Sequence, residues 1–165
     1  MYKSNMRIAV ALLAACTAFA SIARAEEGTV DIALIGVRNL TSVVVGDTTV
    51  TAGGATGGIT VTRSSGAPFV EDVSGTTQCI NFSKKSETRF DLEADCLATF
   101  TQADTLQFQF RRESGDLSAG TSARGVQKIL GGTGRFAGIV GDCTYKVDNL
   151  PNNWNATLSK CRWHK

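Results

Sequence analysis

A glycine-rich run at positions 129–141 has a residue spacing that could bind a phosphate group. Its sequence is Ile-Leu-Gly-Gly-Thr-Gly-Arg-Phe-Ala-Gly-Ile-Val-Gly. Gly131, Gly134 and Ala137 have the spacing of a dinucleotide-binding loop, in which glycines let the backbone approach a pyrophosphate at the start of a helix. Such a loop follows a buried parallel strand and precedes a helix. The segment before this run alternates polar with apolar residues, and β-prone residues follow it. The run therefore predicts a turn between two strands, and the sequence predicts no cofactor.

We expect the glycines of this run to serve the backbone rather than a ligand. Between two strands, glycine permits conformations that residues with a side chain rarely adopt. The glycines to which we assign this structural role are Gly131, Gly132, Gly134, Gly138 and Gly141.

Three carboxylates at alternate positions, Asp91, Glu93 and Asp95, would lie on one face of a strand. Carboxylates that repel one another can attract calcium, so they are a candidate cation site. The wet face of a half-buried strand explains the same pattern with fewer assumptions. We therefore predict no metal site at these residues.

His164 is the only histidine, and it lies next to the end of the chain. Hydrolases that use a Ser-His-Asp or Cys-His arrangement need an imidazole that is held in a pocket by an orienting partner. A histidine at this position is a poor candidate for that role. The sequence therefore predicts no catalytic residue for hydrolysis.

Cysteines provide the clearest covalent chemistry. Cys79, Cys96, Cys143 and Cys161 form an even set without a Cys-x-x-Cys pair, which favours disulfides over a zinc site. Four cysteines allow three pairings. A turn-forming segment, residues 150–153, lies midway between Cys143 and Cys161, so these two face each other if the segment closes a hairpin. This pairing leaves Cys79 for Cys96.

The elements that must position these residues are predicted to be strands. Residues 90–100 alternate strictly, with Phe90, Leu92, Ala94 and further apolar side chains on one face and the three carboxylates on the other. Residues 106–110 alternate in the same way after a turn at 101–104, so their apolar face can meet that of the preceding strand.

Further turns divide the rest of the chain. Gly46-Asp47 lies between two β-prone runs and predicts a hairpin. A glycine cluster, Gly53, Gly54, Gly57 and Gly58, predicts a second bend before a strand that begins at Ile59. The count is about eight or nine strands with no long amphipathic helix, which predicts an all-β fold and a single antiparallel barrel.

The glycine-rich run also resembles a segment of the allene oxide cyclase and dirigent barrel families, which carry a GG[TS]G-x-F motif in a late hairpin. The resemblance covers about a dozen residues, positions 129–141. It implies an antiparallel barrel of about eight strands with a cavity, in families that act on or steer small apolar molecules. Because nothing outside the segment matches, it transfers none of their functional residues to this chain.

The N-terminus has the pattern of a bacterial export signal. Lys3 and Arg7 precede an apolar stretch at residues 8–20, and Ala23-Arg24-Ala25 before Glu26 is a small-x-small cleavage site. The stretch is too short to predict a transmembrane helix. We therefore predict a signal peptide at residues 1–25, a single domain at residues 26–165, and a periplasmic or secreted protein.

A second cleavage pattern overlaps the first. Residues 13–16, Leu-Ala-Ala-Cys, match a bacterial lipobox, which would make Cys16 the lipidated first residue of an anchored protein. The apolar run continues beyond Cys16, whereas a lipoprotein usually becomes polar there. Soluble export is therefore the preferred interpretation.

Removal of the signal changes the charge argument. The chain has 17 Lys plus Arg and 15 Asp plus Glu, and three of the basic residues lie in residues 1–25, so 14 remain against 15. The net charge of about −1 disfavours nucleic acid as a partner. The remaining 140 residues (165 minus 25) suffice for one hydrophobic core.

Two functions are compatible with these features. The preferred one is a non-catalytic exported barrel that binds a small apolar ligand or a surface partner. The alternative is a cyclase or isomerase-like enzyme, as the family resemblance suggests, in which Tyr145 or a buried carboxylate polarises a small apolar molecule. A cavity that contains a carboxylate, arginine or a tyrosine with a shifted pKa would favour the enzyme, and an interior filled with Phe, Leu and Val would exclude both enzyme and internal binder.

Overall fold

A computed structural model describes residues 26–112 and 122–165, and these residues form a closed antiparallel β-barrel in which each strand pairs with the next and the last pairs with the first. The strands are β1 Glu27–Val45, β2 Thr48–Ser64, β3 Ser74–Lys85, β4 Phe90–Thr99, β5 Thr105–Arg112, β6 Ser122–Gly132, β7 Val140–Asn149 and β8 Trp154–His164. The predicted barrel is thus confirmed, with eight strands. The predicted signal peptide and Cys16 lie outside the described residues.

Alternating side chains explain how β4 and β5 close the barrel. Ala94 and Cys96 of β4 are buried, and so are Phe108 and Phe110, their partners on β5. Asp95, between them, is exposed. The apolar face lies inside and the carboxylate face lies outside, as the alternation predicts.

The predicted bend at the glycine cluster 53–58 is wrong, because β2 runs through it without interruption. The glycines instead permit a close approach of β1 to β2. A Cβ atom on Gly57 would lie 2.6 Å from the Cα atom of Gly36 and against the carbonyl oxygen of Ile35. Glycine inside a strand marks such backbone contacts in tightly curved sheets, as well as bends.

One end of the barrel is filled by aromatic side chains. This packed end comprises the connections at residues 65–73, 100–104 and 133–139. The ring of Phe136, which is 1% exposed, lies 5.1 Å from that of Phe69 and 5.2 Å from that of Phe100, centroid to centroid. Trp163 completes the cluster, 5.8 Å from Phe69. Burial of such rings is a large part of the stability of a small barrel.

Both predicted disulfides are present, Cys79–Cys96 and Cys143–Cys161. Each joins directly opposed residues on neighbouring strands, β3 with β4 and β7 with β8. Residues 150–153 form the turn between β7 and β8, so the hairpin argument for Cys143 and Cys161 is confirmed.

Candidate functional site

The other end of the barrel contains a cavity of about 100 Å³. We call it the cavity end; the turns between β1 and β2, β3 and β4, and β7 and β8 lie there. The apolar part of its lining is formed by Leu34, Leu40, Leu92, Phe110 and Val147. The polar part includes Arg38, Asn81, Arg112, Tyr145, Asn149 and Asn155. The lining is therefore amphipathic, as ligand sites in proteins commonly are.

The cavity begins where the inward side chains become small. Along β1 the inward positions pass from Ile32 through Leu34, which lines the cavity, to Gly36. Along β2 they pass from Ile59 through Gly57 to Ala55. Large side chains fill the packed end, and glycine and alanine leave space above it. The glycines that allow β1 and β2 to approach each other thus also open the interior.

Arg38 is the cation whose environment is best defined. Its Nη1 donates a hydrogen bond to Oδ1 of Asn149 at 2.9 Å, while its Nε is buried without a partner. Half-burial of the guanidinium lowers the pKa of Arg38 below its usual value. Arginine nevertheless stays charged at neutral pH, so a positive charge lies in the cavity wall.

Arg112 and Tyr145 lie deeper. Arg112 is 2% exposed, and its guanidinium carbon lies 5.1 Å from the centroid of the Phe90 ring, a cation-π contact. Tyr145 packs edge-on against Phe110 with the ring centroids 5.3 Å apart. Burial raises the pKa of Tyr145 to about 12, and the nearby charge of Arg112 opposes this rise. At neutral pH the phenol is protonated and can donate a hydrogen bond but cannot serve as a base.

The shifted pKa of Tyr145 can be measured directly, because the only other tyrosine, Tyr2, lies in the predicted signal peptide. In a chain that starts at Glu26, we expect tyrosinate absorbance to rise near pH 12 in the folded protein and near pH 10 in urea. Between pH 10 and pH 12 the phenol keeps its proton in the folded state and has lost it in the unfolded state. Stability is therefore full below pH 10 and falls by about 2 to 3 kcal/mol as the pH rises to 12. Equal folded and unfolded midpoints would contradict the burial of the phenol.

The carboxylates of β4 lie on the outer surface, and two of them pair with arginines. Asp91 pairs with Arg89 at 2.6 Å, and Glu93 pairs with Arg111 at 3.0 Å, all on the outer surface. Among the described residues, no group of three or more His, Cys, Asp or Glu side chains is arranged to hold a metal ion. His164 is exposed at the end of β8, away from the cavity lining.

The glycine-rich run joins two antiparallel strands, β6 and β7, and contains only a 3-10 turn, Gly134–Phe136. The carboxylate of Asp104 binds the backbone N–H group at the start of this turn. It accepts hydrogen bonds from the backbone N–H of Arg135 at 2.9 Å and from Nε of Arg135 at 3.0 Å. The backbone hydrogen bond from Arg135 is the main reason that the pKa of Asp104 lies below its usual value. A carboxylate here would repel a phosphate group, so the geometry disfavours a nucleotide loop.

No protein-family model matches the chain, and no curated protein matches it. Within residues 26–112 and 122–165, no helix is long and apolar enough to cross a membrane.

Tyr145 was a candidate from the sequence, whereas Arg38, Arg112 and the asparagines of the lining were not. Strand parity is the signal that could have found the arginines. Arg38 follows Val30, Ile32 and further inward residues of β1 at even intervals, and Arg112 continues the inward series of Phe108 and Phe110. A charged side chain that continues the apolar face of a strand is a candidate for the interior of a barrel.

Proposed function

We propose that this protein binds a small, mainly apolar molecule in the cavity at the cavity end of the barrel, without transforming it. The observation that carries the proposal is the lining itself: several large apolar side chains and a small number of polar groups converge on one space. An interior filled by Phe, Leu and Val side chains would leave no such space. Here aromatic rings fill the packed end, whereas Leu92, Phe110 and Val147 border the cavity without closing it.

The proposed location is outside the cytoplasm. Two disulfides support it, since structural disulfides form and persist mainly in oxidising compartments. The signal pattern at residues 1–25 supports the same location from the sequence. A binding protein of this kind would meet its ligand in the periplasm or in the medium.

Replacing Ala94 with leucine tests the site. Ala94 is buried, lies on β4 and lines the cavity, so added methyl groups at this position occupy ligand space. We expect Ala94→Leu to weaken the binding of neutral one-ring compounds at least about tenfold in NMR titrations, while overpacking lowers stability by only about 1 to 3 kcal/mol. Native mass spectra of the exported protein should show a bound small molecule that Ala94→Leu loses.

Ala52→Leu is the matched control, because Ala52 is exposed on β2 and does not line the cavity. We expect its ligand affinity and its native mass spectrum to equal those of the wild-type protein. Equal binding by Ala94→Leu and the wild-type protein would contradict the proposed site.

Tyr145 favours a second candidate, a cyclase or isomerase-like activity. A protonated phenol in an apolar cavity, with the cation of Arg112 nearby, can polarise a carbonyl or epoxide oxygen through a hydrogen bond. The resemblance of the glycine-rich run implies chemistry of this class. Chromatography of the compound released from the protein distinguishes the two functions, because isomers have equal mass but differ in retention. An enzyme with Tyr145→Phe would retain an isomer that the wild-type protein converts, whereas a binding protein would hold the same compound in both forms.

A further inference from the structure

Arg38 gives the cavity a polarity that a purely apolar ligand would not use. A guanidinium in a half-buried position is stabilised when a carboxylate pairs with it. In the described part of the chain, no ion pair includes Arg38, and its one side-chain hydrogen bond goes to the neutral amide of Asn149. The cation therefore retains most of its capacity to bind an anion.

In the part of the chain that the structure describes, two buried N–H donors of the cavity wall lack a partner. One is Nε of Arg38, and the other is Nδ2 of Asn81, on β3. Buried donors without an acceptor are uncommon, because each costs free energy until it forms a hydrogen bond. Asn155 adds an acceptor, Oδ1, that has no partner among the described residues. Rotation of its amide by 180° about the Cβ–Cγ bond exchanges Oδ1 with Nδ2, so the same position can also present an N–H donor. The unsatisfied groups thus suit a ligand that supplies several acceptor oxygens.

The charges of the lining have one sign. Among the described residues that line the cavity, two are arginines and none is Asp or Glu. The carboxylates of the neighbouring strand β4 project outwards, where Arg89 and Arg111 neutralise Asp91 and Glu93. An anionic group that enters the cavity would therefore be attracted by Arg38 and would meet no carboxylate among the described lining residues.

We propose that the ligand of this cavity is a small organic anion, with a carboxylate or a similar oxyanion bound by Arg38 and Asn81 and an apolar body held by Leu92, Phe110 and Val147. This inference rests on the proposed binding function and adds the charge of the ligand. The volume sets the size of the body. About 100 Å³ is below the 150 Å³ or so of a closed cavity that accepts benzene. A short alkyl chain therefore fits entirely, whereas a single ring fits only with part of it extending through the open side of the cavity.

Benzoate and benzamide test this charge preference, because they share one ring and a nearly equal shape and differ in charge. We expect benzoate to bind the full-length exported protein at least about tenfold more tightly than benzamide in calorimetric titrations at pH 7. Raising the salt concentration should weaken the binding of benzoate and leave that of benzamide unchanged.

Arg38→Met removes the charge while keeping a long apolar side chain. We expect this variant to lose the preference for benzoate, Arg38→Lys to keep part of it, and Arg124→Met, an exposed control on β6, to keep all of it. If benzoate and benzamide bind the wild-type protein equally, the anion inference is wrong and the proposed binding site stands. If neither compound binds while the folded state is intact, both are wrong.

Discussion

Replacing Gly134 with valine is expected to lower the free energy of unfolding by about 3 to 5 kcal/mol, because two separate penalties coincide at this residue. Its φ of +59° lies in the left-handed region, which a β-branched side chain rarely adopts. A Cβ atom at Gly134 would also lie 2.6 Å from the carbonyl oxygen of Ala103 and would press on the carboxylate of Asp104. Those atoms belong to the connection that holds the 3-10 turn in place.

Substitutions at two other glycines measure the conformational penalty and the crowding penalty separately. Gly46 has a φ of +64° with nothing within 4 Å of its added Cβ, so Gly46→Val measures the conformational penalty alone, about 1 to 2 kcal/mol. Gly132 lies in β6 outside the left-handed region, and its added Cβ would press on the carbonyl oxygen of Thr105 and lie 2.8 Å from the Cβ of Phe136. Gly132→Val therefore measures crowding alone, about 1 to 3 kcal/mol.

Urea unfolding, followed by the fluorescence of the buried Trp163, gives the three values on one scale. We expect Gly134→Val to exceed either of the other two variants. If it is no more destabilising than Gly46→Val, the contact with Ala103 and Asp104 does not restrain the turn.

The Phe136 side chain explains why this turn affects the whole barrel. Phe136 ends the 3-10 turn and closes the packed end against Phe69 and Phe100. A turn that cannot close moves this ring out of the core, and exposure of a buried Phe removes about 1.5 to 3 kcal/mol of stabilisation. The glycine-rich run thus both connects β6 to β7 and supplies the Phe136 ring that closes the packed end.

Local patterns were sufficient to predict much of the fold. The alternation in residues 90–100 places Ala94 inside and Asp95 outside, because a strand with one wet face has a period of two and needs no knowledge of its neighbours. The pairing of Cys143 with Cys161 followed from the position of a single turn. Both features depend on residues that are close in sequence.

The glycine cluster of β2 shows where local patterns fail. Glycine signals either a bend or a close backbone approach, and only the partner strand decides between them. Gly57 faces Gly36 of β1 across the sheet, so the approach accounts for it. The space inside the barrel could not be predicted either, because it depends on which small residues come to lie at one level after closure.

Removing the disulfides is expected to have the other large effect, and the two bridges provide a matched pair. They close loops of almost equal length, with sequence separations of 17 and 18, so restriction of the unfolded chain contributes about 3 kcal/mol for each. Any difference between them therefore reports packing. Cys143 and Cys161 are 5% and 4% exposed, whereas Cys79 is only half-buried beside the cavity.

We therefore expect Cys143→Ala/Cys161→Ala to lose about 4 kcal/mol and Cys79→Ala/Cys96→Ala about 3 kcal/mol in urea unfolding under oxidising conditions. In a reducing buffer the contributions of the bridges should disappear from all three proteins, and only the packing difference of about 1 kcal/mol should remain. An unchanged midpoint for either variant without reductant would show that its bridge contributes nothing to the native state.

Loss of both bridges removes about 6 kcal/mol, which is comparable to the whole stability of a typical small domain. The reduced chain should consequently be largely unfolded at 37 °C, even though every apolar contact of the barrel is encoded in its sequence. The yield of folded protein should then be high when the chain is directed to an oxidising compartment and low when residues 26–165 are produced in a reducing cytoplasm. Equal yields in the two compartments would contradict this dependence, and the support that the disulfides give to the proposed location would be lost with it.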